Sequence, residues 1–239
     1  MKSYLKHPDA VGGENLLETS SSQESLRVRM EKISQEIENN DFVDAVSAIR
    51  KEIELTYLRL DLEEQPLALI AARELFTRAI TAGYWHEAVE CCDIIFQATE
   101  EREGVIALAH GIWLSVTFPV DPELTVAMLQ HLVDETPAHA DGAAVAAAAA
   151  NYIVSLRVVD DNKRAELSFF TEQLLGQVAR RHSQIEDQEM FAIWVERMEL
   201  DDPGLFFPRL AQVLEAIVGE SWWFDRDKLR ERIPPEGVS

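Results

Sequence analysis

The stretch AGYWHEAVECCDIIF, residues 82–96, places His86, Glu87, Glu90, Cys91, Cys92 and Asp93 within eight positions. These residue types ligate transition metals and move protons. Their spacing argues against both. On a helix, Cys91 and Cys92 point about 100° apart and cannot grip one ion as a C-x-x-C pair does. The aligned pairs are His86 with Glu90 and Glu87 with Cys91, at i, i+4, and a zinc site needs at least one further protein ligand. No H-E-x-x-H and no second cysteine pair supplies it. The Glu-x-x-His pairs of di-iron bundles, the P-loop, G-x-G-x-x-G and G-x-S-x-G are absent as well. The expectation is therefore no metal, no cofactor and no catalytic residue. The cluster reads as the solvated polar side of a scaffold helix.

The packed side of that helix is legible. Trp85, Ala88, Val89, Cys92 and Phe96 fall at i, i+3, i+4, i+7 and i+11, one stripe of a helix. The same offsets select Phe42, Ala45, Val46, Ile49 and Ile53. In a looser copy they select Leu124, Ala127, Met128, His131 and Glu135, with Leu129, Leu132 and Val133 widening the apolar face. His131 holds the position of Ile49 and Cys92, so it is either a hydrogen-bonded core histidine or a polar contact for a ligand. The starting residues Phe42, Trp85 and Leu124 recur 43 and 39 residues apart. That is the length of a helical hairpin whose apolar face only a neighbour can cover, so stacking is expected.

Strong helix formers dominate, alternating β-branched runs are nearly absent, and Gly and Pro stand where helices end. Eleven helices are expected, from Ser25–Glu38 to Arg226–Arg232, with Asp121 before Pro122 and Asp202 before Pro203 as N-caps. Residues 1–24, rich in Ser, Gly and Glu, read as a flexible tail. Residues 25–182 read as the hairpin domain, and 183–239 as a helical cap packed on the same domain. Ala143, Ala144 and Ala146 to Ala150 suggest a central helix clamped between others, or the floor of a groove. With 239 residues and 47% hydrophobic content the chain can bury a core without staples. Its two cysteines are adjacent, which favours reduced thiols and a cytoplasmic setting. The first residues lack a signal-peptide h-region, and no run of about 18 apolar residues could span a bilayer. A net charge of −21 repels phosphate backbones and anionic lipid, so nucleic acid and membranes are not expected partners.

Gly83, an aromatic two positions on at Trp85, and Ala88 three further resemble the start of the second helix in the tetratricopeptide-like superfamily. Asn40, Phe42 and Ala45 repeat the pattern with Asn for Gly. The resemblance spans residues 25–182, with a longer repeat than the family's usual length of about 34 and with Phe76 where the first helix of that family carries glycine. It implies an all-α fold of stacked antiparallel helical hairpins, a TPR-like right-handed solenoid with a C-terminal capping segment. It also implies a role in binding proteins or peptides, and no catalytic residues.

The C-terminal part carries three of the five tryptophans. Consecutive aromatics in FF and WWF cannot all face one neighbour, so Trp194, Phe206, Phe207, Trp222, Trp223 and Phe224 form either a cap or partner anchors. Tyr152 and His131 are further candidate contacts. The leading expectation is a non-catalytic protein-interaction module, an adaptor or assembly factor whose acidic surface suits a basic protein or peptide. Homodimerisation through an uncovered aromatic face stays open. A second reading is a cytoplasmic maturation chaperone for a redox enzyme. Those proteins are similarly acidic and helical, and their Glu-x-Pro-x-Asp-His loop is echoed by Glu135, Pro137 and His139 without the Asp. A third is a small-molecule-binding helical protein or enzyme that uses His131 or Tyr152.

Overall fold

The computed structural model describes residues 16–39 and 42–233, and among these the regular structure is entirely helical, with no strand. The elements in order are α1 (Leu16–Glu38), α2 (Ala45–Asp61), α3 (Gln65–Ala82), α4 (Trp85–Ala98), α5 (Arg102–Thr117) and α6 (Pro122–Glu135). They continue with α7 (Asp141–Arg157), α8 (Asp161–Ser183), α9 (Gln188–Arg197), α10 (Pro203–Val218) and α11 (Arg226–Arg230). Most ends lie within a residue or two of the expected ones. The exceptions are α2, which begins three residues after the expected Phe42, and α1, which starts at Leu16 inside the segment read as a tail; residues 1–15 of that segment lie outside the described residues. Asn40 of the repeat pattern also lies outside them.

The chain forms two compact units that divide inside α5, the first ending at Ala107 and the second beginning at Leu108. In the first unit α2 packs on α1, α3 and α4, and α3 packs on α4. Asp44 starts α2 by accepting the backbone N–H of Ser47 at 2.8 Å, an N-cap that places Phe42 before the helix rather than in it. Of the expected stripe only Ile49 and Ile53 are buried, whereas Phe42 and Val46 are half-buried and Ala45 is exposed. The cap explains this, because the first turn begins at Ala45. α3 buries Ala68, Ala72, Leu75, Phe76 and Ala79 along one side. It ends at Gly83, whose φ of 79° is the left-handed conformation that favours glycine. There the Tyr84 N–H reaches the Ala79 carbonyl at 2.9 Å and closes the last turn. A Cβ at Gly104 would stand 2.4 Å from the Thr99 carbonyl oxygen, so the start of α5 requires glycine.

In the second unit α7 is the centre, packed against α6, α8 and α10. Every residue from Ala143 to Ala150 is buried, which is the clamped central helix of the sequence reading. Asp121 and Asp202 cap α6 and α10 as expected, accepting from Glu123 N and Gly204 N at 2.8 Å each. Arginines close several helix C-termini. Arg157 donates to the Ser115 and Val116 carbonyls at 2.6 and 2.8 Å, Arg181 to Val133 at 2.5 Å, and Arg209 to Met198 at 2.6 Å. The last carbonyls of a helix have no partner within it, and a guanidinium supplies donors and a compensating charge.

Ala147 is fully buried, and replacing it with Leu forces extra volume between α7 and its neighbours. Ala147→Leu is expected to cost about 1–3 kcal/mol, read as a lower urea midpoint at unchanged m-value.

Candidate functional site

The cluster that looked most chemical is closed. α4 is buried from Glu87 through Ile95, including Glu87, Glu90 and Asp93. The expectation of a solvated polar side is therefore corrected: these groups face a polar seam with α2 rather than water. Arg50 donates to Glu87 at 2.6 Å, and the Tyr57 hydroxyl donates to Asp93 at 2.8 Å, as does the Gln97 amide. Tyr57 also reaches the Glu90 carbonyl oxygen at 3.3 Å, and His86 stands 3.9 Å from the Glu90 carboxylate. Buried carboxylates persist only when paired in this way. Burial is the main cause that pushes the Cys91 and Cys92 thiols well above their ordinary range, reinforced by neighbouring negative charge. Among the described residues no group of three or more His, Cys, Asp or Glu is arranged to hold a metal ion.

The C-terminal aromatics fall into two groups. Phe206 and Phe207 lie near Tyr152, with ring centroids 6.0 and 5.6 Å from it. Trp222, Trp223 and Phe224 gather around His110 on α5, at 5.0, 4.5 and 5.1 Å. Trp113, one turn on from His110, joins them at 6.2 Å from Trp222 and 5.4 Å from Phe224. Arg226 lies 4.0 Å over the Trp222 ring and Arg230 5.5 Å over Trp113, both within cation–π range. Trp194 and Phe206 are buried, Phe207, Trp222, Phe224, Tyr152 and His131 are half-buried, and Trp223 is 37% exposed. These aromatics make contacts within their own unit.

His131 stands close enough to Asp134 for its charge to act on that carboxyl, which burial pushes up and which His131 and Arg181 pull back. In the echo of the chaperone loop, Glu135 is exposed, and the His139 Nδ1 meets the His182 carbonyl at 3.3 Å. His182 in turn faces Asp141 at 3.2 Å. His110 belongs to no sequence motif. Its placement three residues before Trp113 in the apolar run GVIALAHGIWL was the available signal.

Besides Val28 and Val43, the exposed large hydrophobics of the first unit lie on the outer side of α3. With the opposite stripe packed on α2 and α4, Leu67 and Ile70 stand one turn apart at 52% and 62% exposure. Glu63 and Glu64 precede Leu67, and Glu74 lies one turn beyond Ile70. The cations of α3 are already engaged, Arg73 by Glu103 and Arg78 by Glu52. The apolar pair is therefore bordered by carboxylates in excess.

Comparison of the chain with protein-family models, with curated proteins and with solved structures finds no match. The class that the fold defines is an all-helical protein built of packed neighbouring helices.

Two outcomes follow from the closed cluster. Arg50→Ala leaves the Glu87 carboxylate buried without its cation and is expected to cost about 1–3 kcal/mol, measured by urea denaturation. Cys91 and Cys92 are expected to resist a thiol reagent such as DTNB at neutral pH in the native protein, and to react within the mixing time once denaturant is added.

Proposed function

We propose that this chain is a non-catalytic helical scaffold, of the stacked-hairpin kind found in tetratricopeptide-like proteins, that binds a basic, amphipathic segment of another protein. The observation that carries the reading is the outer side of α3. Leu67 and Ile70 are large aliphatic side chains held in water one turn apart, on a helix whose other side is already packed. Apolar anchors at i, i+3 inside a polar border are how a helical surface grips a partner helix or peptide. Glu63, Glu64 and Glu74, with a net charge of −21 behind them, select a partner with lysines or arginines around its own apolar residues. The arrangement of α4 supports a scaffold rather than an enzyme. Its carboxylates hold α2 through Arg50 and Tyr57, and its thiols are enclosed.

Affinity capture at low salt, comparing the intact chain with a Leu67→Ser, Ile70→Ser double variant, tests this. Both positions are surface sites, so each change should alter stability by no more than about 0.5 kcal/mol, checked by helicity and urea midpoint. The expected result is a partner recovered by the intact chain, reduced about tenfold or more by the double variant, and released as ionic strength rises. A partner held equally by the double variant, or held without regard to salt, would overturn the reading.

A further inference from the structure

We propose that the segment from Gly219 to Ile233 is a pH-sensitive strap, held on α5 by neutral His110 and released when that ring is protonated. His110 is fully buried, and its Nε2 accepts the backbone N–H of Trp223 at 3.2 Å. A backbone amide can only donate. Nε2 must therefore carry no proton while the strap is seated. A proton there sets two N–H groups against each other and breaks that hydrogen bond, whatever else the ring touches.

The rest of the strap is built around the same ring. Trp223 stacks on His110 with an interplanar angle of 28°, while Trp222 and Phe224 meet it edge-on at 81° and 60°. Three consecutive side chains thus depend on the position of one imidazole. Among the described residues, charged groups beside the cluster include several from the strap and α10. Arg226 lies over Trp222 and pairs with Glu215 at 2.8 Å, and Arg230 lies over Trp113 and pairs with Asp227 at 2.8 Å. Asp225 caps α11 and pairs with Lys228. On α5 itself the neighbours of His110 at three and four residues are Ile106, Ala107, Trp113 and Leu114, all uncharged.

The strap also has a place to bend. Gly219 ends α10 at φ 59°, ψ −122°, and residues 220–225 that follow it contain no helix. The sign of the linkage follows from the hydrogen bond. The seated form binds one proton fewer than the released form, so its share can only fall as pH is lowered. It is lost as pH falls, with the seated-to-released ratio dropping up to tenfold per pH unit. Release uncovers Trp113 and frees Trp222, Trp223 and Phe224.

The test uses the full chain labelled with 15N and titrated from about pH 7.5 to about pH 5. The readouts are the ring nitrogens of His110, the backbone amide of Trp223, and the indole signals of Trp222 and Trp223 assigned through Trp→Phe variants. Far-UV circular dichroism follows the helices. The expected result is a His110 ring that carries its proton on Nδ1 at the upper pH. It then titrates in step with loss of the Trp223 amide signal and movement of both indoles, at constant helicity. His110→Gln, whose side-chain oxygen can accept the same N–H without titrating, should keep the strap seated across the range. If that variant does not fold, the wild-type titration decides alone. A strap that stays seated to about pH 5, whether or not His110 titrates, overturns the proposal. So does a folded His110→Gln that releases the strap as wild type does, or a loss of helicity in step with the indoles, because the whole unit would then be the responding element.

Discussion

The second unit depends on close approach to one alanine helix. α7 presents eight consecutive buried residues, seven of them alanine, to α6, α8 and α10. Alanine loses no side-chain entropy on burial and adds little radius, so several helices can close on it. Tight packing then makes the surroundings intolerant of added volume. It also means that α7 offers few polar side chains of its own to fix its neighbours. That task falls on the ends of the helices, where Arg157, Arg181 and Arg209 donate to carbonyls that the helices leave without a partner.

Those arginines show how a strongly acidic chain uses scarce positive charge. With 22 basic residues against 43 acidic ones, at least 21 carboxylates (43 less 22) cannot find a cation of their own. Several of the cations sit where they complete another group. They close helix C-termini in the second unit; in the first, Arg50 meets Glu87, Arg73 meets Glu103 and Arg78 meets Glu52. Exposed carboxylates carry much of the excess, where solvation is cheap, and give the surface its sign.

Much of this was legible beforehand, and particular residues show why. The helices and their caps at Asp121 and Asp202 follow from short-range chemistry, because an aspartate before proline has few other roles in such a pattern. The burial of Ala143 to Ala150 follows from composition, since nothing in that run could stand as a polar face. The polar seam of α4 was misread for an equally physical reason. Glu87, Glu90 and Asp93 have the period of a solvated face, and a carboxylate in water looks the same in sequence as one held by Arg50 or Tyr57 from another helix. The partners lie 37 and 36 residues away, a distance at which periodicity carries no information. The start of α1 at Leu16 was missed because its serine-rich first turns have neither an apolar stripe nor a strong propensity.

What the sequence determined by itself is the class of element, the approximate ends of each, and the sign of the surface. These depend on intrinsic propensity, on capping within three residues and on net charge, none of which needs a fold. Tertiary structure decided which polar groups are enclosed, which apolar ones are left in water, and what His110 touches. His110 and Trp223 are 113 residues apart, and Leu67 is exposed only because Ala68 and Ala72 took the packed side of the same helix. Contacts of that kind arise when elements choose faces against one another. The choice is settled by the summed packing of the whole unit rather than by any local run of residues.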